Sequence, residues 1–142
     1  MLIDELKRVQ ADTFAMYAKS HYYHWNVEGP DFVQYHKFLG KLYEELFNAV
    51  DPIAEHVRQL DAYAPAAHRM LMELTKIQDD DTVPQAIEMF RRLITDNDTV
   101  MEGLVQAYMS ADAEGELGLA NFLQDRLDVH KKHRWMLMSL TK

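Results

Sequence analysis

Asp51 and Glu55 stand four residues apart, a spacing that puts both acids on one face of a helix, where they can point at one ion. With 23 acids in 142 residues, about four such pairs arise by chance, so the plain reading is a solvated acidic face. Here the pair interrupts an apolar stripe between Val50 and Ile53, and the same stretch carries His36 upstream. A second imidazole, His24, closes the run His21-Tyr22-Tyr23-His24-Trp25-Asn26. Taken singly, a histidine among aromatics is more often a satisfied core residue than a ligand. Taken together, these side chains form an imidazole and carboxylate donor set, and a chain without Cys offers no thiolate site and no thiol nucleophile. Such a set suits iron, manganese or zinc better than copper(I), and open positions on it would suit redox chemistry.

Distance limits how the set can assemble. His36 and Asp51 are fifteen residues apart on one expected helix, which separates them by roughly 22 Å, too far to ligate one ion within a single chain. A two-fold partner removes the difficulty. If this helix packs antiparallel on its own copy, the histidine end of one chain meets the Asp51 and Glu55 end of the other, and the site forms twice.

The elements that must hold these residues are helices. Leu2, Leu6, Val9, Thr13, Phe14, Tyr17 and His21 recur at steps of three and four, predicting a helix from 2 to about 27 that Gly29-Pro30 ends. Asp31 with Gln34 reads as a capping box for a second helix to about residue 61, through Phe32, Tyr35, Leu39, Leu42, Leu46, Ile53 and Val57. Pro52 inside it removes one backbone bond and predicts a bend rather than a stop. Pro65 at a first-turn position predicts a short helix over 66–72, followed by an acidic loop at Asp79-Asp80-Asp81. Thr82 with Gln85 predicts the start of a third long helix to about 111, and a fourth follows the Gly115 to Gly118 break and runs nearly to Lys142. The whole reads as one all-α domain over residues 1–142: a four-helix bundle with a short extra helix in one long crossover, the connectivity of ferritin-like folds.

The sequence His24-Trp25-Asn26-Val27-Glu28-Gly29-Pro30, with His36 twelve residues after His24 and then Asp51-Pro-Ile-Ala-Glu55, resembles the Dps mini-ferritins, the DNA-binding proteins from starved cells. Leu119-Ala120-Asn121-Phe122-Leu123 and His130-Lys131-Lys132-His133-Arg134-Trp135 extend the resemblance into the last helix. The resemblance implies a dodecameric shell with ferroxidase centres at two-fold interfaces. Iron(II) would be oxidised there, preferably by hydrogen peroxide, and iron(III) stored as a mineral, with zinc or manganese as substitutes for iron. By position it gives His24 and His36 to one subunit, Asp51 and Glu55 to its mate, and to Trp25 a place beside the centre absorbing oxidising equivalents.

One position departs from that pattern. Four residues after the second histidine the family usually has Asp or Glu, and here Gly40 offers no ligand atom. One iron is then expected to bind normally and the second loosely, slowing oxidation, and an Asp placed at 40 is expected to change the rate. Glu44, a turn further along, is a weak substitute at about 6 Å of added rise. The alternative function is a metal-binding shell with impaired ferroxidase activity.

A second alternative, a nonspecific DNA-binding nucleoid protein, is disfavoured by a formal charge of −8 and by the lack of a basic tail in this sequence. The cluster from His130 to Arg134 reads as an exposed face balancing nearby acids. Asp112, Glu114, Glu116 and Asp125 read either as acids favoured at a helix N-terminus or, by the resemblance, as the lining of an iron-entry channel, with Asn121 where relatives often carry Asp. Met70, Met72, Met136 and Met138 are expected to fill gaps in core and interfaces. The opening Met1-Leu-Ile-Asp-Glu lacks the apolar run of a signal peptide and no later stretch approaches a membrane span, so the expectation is a soluble, cytoplasmic protein without membrane partners.

Overall fold

In the computed structural model, which describes residues 1–142, apolar residues at helical spacing form five helices: α1 (Leu2–Asn26), α2 (Phe32–Gln59), α3 (His68–Leu74), α4 (Ala86–Ala113) and α5 (Leu117–Leu140). There are no strands. α1 packs on α2 and α4, and α5 packs on α4, closing a four-helix bundle. Leu6, Met16 and Tyr23 of α1 meet Leu39, Leu46 and Ile53 of α2, Phe90, Leu93 and Leu104 of α4, and Leu123 and Leu137 of α5 in one core, all nearly inaccessible to solvent. α2 runs unbroken through Pro52, as its apolar stripe requires.

The crossover from α2 to α4 is stitched along α1. Gln10 Nε2 donates to the Pro65 carbonyl at 2.6 Å, and Asp12 Oδ1 accepts from the Thr75 hydroxyl at 2.7 Å and from the Lys76 N–H at 2.8 Å. Further on, the Tyr23 hydroxyl donates to Asp80, which also accepts from Arg92 at 2.9 Å. Burial, the hydrogen bond to Asp80 and its negative charge together push the Tyr23 phenol well above its ordinary range.

Helix ends depart from expectation in four places. Pro65 precedes α3 by three residues, because its carbonyl is committed to Gln10 and the helix begins only at His68. Thr82 is not a cap: its N–H and hydroxyl both donate to Asp80 Oδ1 in a local turn, and α4 starts at Ala86 behind Gln85. Asp31 precedes α2 but makes no side-chain capping bond, its backbone (φ −102°, ψ 23°) lying outside the extended region that capping uses. Gly118 lies inside the first turn of α5 rather than in the break, which Gly115 makes alone.

The two sharp helix stops share one geometry. After α4, Gly115 (φ 76°) donates to the Asp112 carbonyl and Glu116 to that of Ala111, the paired bonds of a Schellman motif. After α2 the same bonds run from Asp61 to Arg58 and from Ala62 to Val57, with Asp61 (φ 61°) in the left-handed conformation that glycine usually takes.

Candidate metal centre

The hairpin between α1 and α2 brings the two expected histidines together. His24 and His36 flank Pro30 by six residues on each side, so folding the chain back at Gly29 (φ 121°) sets one ring over the other. Their ring centroids lie 3.8 Å apart with the planes at 16°, and Phe32 stacks on the His36 ring at 5.0 Å. The rings are tied crosswise. His24 Nδ1 lies 2.7 Å from the His36 carbonyl, and His36 Nδ1 lies 2.7 Å from the His24 carbonyl. A carbonyl only accepts, so each Nδ1 carries a proton, and in the neutral tautomer this leaves the lone pair on Nε2. Orientation through the second ring nitrogen is how metal-binding histidines are ordinarily held.

Asp51 and Glu55 lie together about two turns and one turn from the C-terminal end of α2, both exposed. Hydrogen bonding to Asp51, then repulsion between the two charges, raises the Glu55 carboxyl above its ordinary value, the behaviour of two acids facing one spot without a cation between them. The structure does not bring this pair to the histidines: α2 is continuous between them, and within the chain no three His, Asp or Glu side chains converge. Each chain therefore carries a histidine pair at the start of α2 and an acid pair toward its C-terminal end, well separated from each other.

Gly40 has a structural reason that spacing did not reveal. A Cβ built there would lie 3.2 Å from His24 Cε1 and 3.3 Å from its Nδ1, tighter than ordinary van der Waals contact. The glycine thus leaves room for the His24 ring as well as lacking a ligand. An Asp placed at 40 would set its Cβ against the His24 ring, which must give by a few tenths of an ångström to receive it.

Around the histidines lies an aromatic array that the sequence reading only partly singled out. Trp25 is 64% exposed and packs on His21 with centroids 3.9 Å apart. On its other side His21 stacks on Tyr43 at 3.9 Å and 7°, and Tyr43 lies 5.2 Å from the His24 ring. Burial, then the neighbouring His24, lower the His21 pKa. The signal for both was available, because His21 precedes His24 by three residues and Tyr43 follows His36 by seven, each on its partner's helix face.

Other candidates resolve differently. In the basic cluster of α5, His130 is buried, with Nδ1 2.7 Å from Asn97 Oδ1 and Nε2 accepting from Arg126 at 3.0 Å. Arg126 and His133 both bond Glu45, and Arg134 bonds Asp98 at 2.8 Å, leaving only Lys131 and Lys132 exposed and unpaired there. Burial, followed by Arg126 and His133, holds His130 well below the ordinary histidine value. Burial alone would raise Glu45, but the bonds from His133 and Arg126 outweigh it and bring it down to about 2. Asp112, Glu114, Glu116 and Asp125 are all exposed around the α4–α5 corner. Met70, Met72 and Met136 are exposed rather than core, which Met16 and Met89 fill instead.

The bundle interior holds no metal set. Its charged groups are already paired, with Lys19 Nζ 2.8 Å from Asp96 Oδ2 in a pair whose side chains are 7% and 9% exposed. The Glu-x-x-His motif of intrahelical-bundle di-iron proteins is absent from the sequence. No helix is long and apolar enough to cross a membrane.

Comparison with known proteins agrees with this architecture. The model of the ferritin-like domain family matches residues 3–142. A DNA protection during starvation protein of Brevibacillus brevis is 30% identical over 132 residues, covering 93% of this chain and 89% of that one. An uncharacterized low temperature-induced protein of Nostoc sp. is 31% identical over 140 residues, covering 97% and 78% respectively. The X-ray structure of Dps from Thermosynechococcus elongatus, 25% identical, superposes with a TM-score of 0.96 over 99% of this chain and 90% of that one. With its four-helix bundle, its long crossover and these relatives, the chain belongs to the ferritin-like domain family and, within it, to the Dps group.

Proposed function

We infer that this protein oxidises iron(II) with hydrogen peroxide at a centre shared by two chains and stores the product as iron(III) inside a dodecameric shell in the cytoplasm. The observation that carries this reading is the crossed histidine pair, whose Nδ1 atoms are tied to carbonyls, leaving the two Nε2 atoms for a cation with no third ligand in the chain. Asp51 and Glu55 of a second copy complete the set, bringing two carboxylates to two imidazoles, a combination that fits iron(II) as substrate and zinc or manganese as competitors. The cation in turn removes the repulsion that raises Glu55. Trp25, exposed beside His21, takes up oxidising equivalents at the mouth of the centre.

Gly40 supports an attenuated form of the same chemistry, with one ion held firmly and a second loosely, because glycine brings no ligand atom to that position. DNA binding is a minor activity at most in this reading, since Arg134, His133 and His130 are spent on internal partners and the formal charge is −8. Names of relatives that refer to DNA describe those proteins.

Iron(II) and peroxide added to the purified assembly should give a ferric absorbance rising faster than in buffer, and an electron-dense core after repeated additions. Oxidation at the buffer rate would leave only the metal-binding shell. A mobility shift at moderate salt would return the nucleoid reading to contention.

A further inference from the structure

Resting on the reading above, in which α2 of two copies lies antiparallel, the charges along α2 acquire partners that one chain does not give them. Lys37 and Lys41 stand in its first half and Asp51 and Glu55 in its second, all four exposed. Within a helix, the side chains that can pair are those three and four residues away. For Lys37 these are Val33, Gln34, Gly40 and Lys41, none of them acidic, and Lys37 makes no ion pair elsewhere in the chain. For Glu55 they include one cation, Arg58, which is turned away: it donates to the Ala62 carbonyl at 2.8 Å and lies over the Tyr63 ring at 4.9 Å. Asp51 has no cation at either spacing. One helix thus carries a lysine without an acid and two acids without a cation.

We propose that Lys37 of one chain is the standing counter-ion of the partner's Glu55, its ammonium resting beside the acid pair until a divalent cation displaces it. Helix geometry places the two together. Lys37 and Glu55 are eighteen residues apart, and at about 3.6 residues per turn that is five full turns, so both side chains leave α2 along one line. A two-fold axis perpendicular to two antiparallel helices carries each side of one onto the same side of the other, so residues on one line meet. The heights agree as well. Leu46 lies midway between Lys37 and Glu55, and Glu44 and Glu45 lie midway between His36 and the acid pair, a difference of roughly 2 Å of rise that a flexible lysine stem spans. Lys41 is the poorer match, because it leaves the helix about 80° away from Asp51. Gly40, one turn on from Lys37, puts no side chain in the way. The loose hold on a second ion then has two causes, a missing ligand atom at Gly40 and an ammonium already beside the acids. The competing account is a solvated lysine, under which position 37 would affect metal binding only through net charge.

Calorimetric titration of zinc(II) into the intact, chelator-treated assembly separates the two. Lys37→Gln should bind zinc about fivefold more tightly than the parent, whereas Lys76→Gln, the same charge change on the crossover, should stay within about twofold. A second readout needs no metal. Lys37→Glu should lower the melting temperature of the metal-free assembly at low salt, and Lys37→Glu combined with Glu55→Lys should bring it back without restoring zinc binding. Equal zinc affinity in Lys37→Gln and Lys76→Gln, or no recovery in the charge-swapped double variant, overturns the pairing. The shared centre survives that result provided Asp51→Asn with Glu55→Gln has lost zinc. Zinc binding unchanged in this acid variant overturns the shared centre itself, and the Lys37 assignment falls with it.

Discussion

An alanine at Gly40 sets two effects of one methyl group against each other. Helix propensity favours Ala by up to ~1 kcal/mol, while the 3.2 Å approach to His24 forces that ring to turn by a few tenths of an ångström. The expected outcome of Gly40→Ala is a melting temperature within a few degrees of the parent and a slower iron oxidation, because a misaimed Nε2 weakens the half-site. Paired thermal melts and initial rates check this, and an unchanged rate would show that the residue at 40 does not control the aim of His24. Glu45 invites a different test. With Arg126 9% and Glu45 32% exposed at the side chain, Glu45→Gln leaves a nearly buried guanidinium without its counter-charge and should cost about 2 kcal/mol, less than the ~3–5 of a fully buried pair. The pH dependence has a definite sign. Glu45 is depressed from 4.5 to about 2, so its contribution is present above pH 4.5 and is lost as the pH falls toward 2. His130, depressed from 6.5, adds an earlier loss that begins as the pH drops below 6.5, where the unfolded chain takes up the proton that the folded chain refuses. Thermal melts from pH 7.5 downward should fall through both windows in the parent, and Glu45→Gln should flatten the lower one.

At the scale of elements, α2 and α4 end in the same motif with different residues at the left-handed position. Gly115 adopts its φ of 76° without a Cβ, whereas Asp61 at 61° bears one. Asp61→Gly should therefore stabilise the fold by about 0.5–1 kcal/mol, read as a small rise in melting temperature at fixed protein concentration, and a fall would mean that the Asp61 side chain makes contacts beyond this chain. Existence and order of the long helices were legible in the sequence because Leu39, Leu46, Ile53, Phe90 and Leu123 repeat at helical steps and end up buried. Helix starts were less legible. Thr82 and Pro65 look like start signals, but their polar groups are claimed by Asp80 and by Gln10, and residues adjacent in sequence do not reveal partners that arrive from α1.

For the whole molecule the central expectation is that the half-sites act in trans. One variant lacking both histidines (His24→Ala with His36→Ala) and another lacking both acids (Asp51→Ala with Glu55→Ala) should each be inactive. Refolded together in equal amounts, random two-fold pairing restores about one quarter of the parent centres. No recovery on mixing would place the chemistry within one chain. A native mass equal to that of a monomer would contradict the shared centre outright.

Read alone, the sequence already determined the helical class, the likeness to the Dps group, and the fact that His36 and Asp51 cannot meet within one helix, because rise per residue is a property of the backbone and needs no tertiary information. Only the tertiary structure decided how the histidines are held and why position 40 is small. Crossed Nδ1 to carbonyl bonds and a ring over a glycine are contacts between α1 and α2, made by the particular way the hairpin closes. The same holds for Tyr17, which reads as one more apolar step on α1 until His21 and Tyr43 are seen packed beside it.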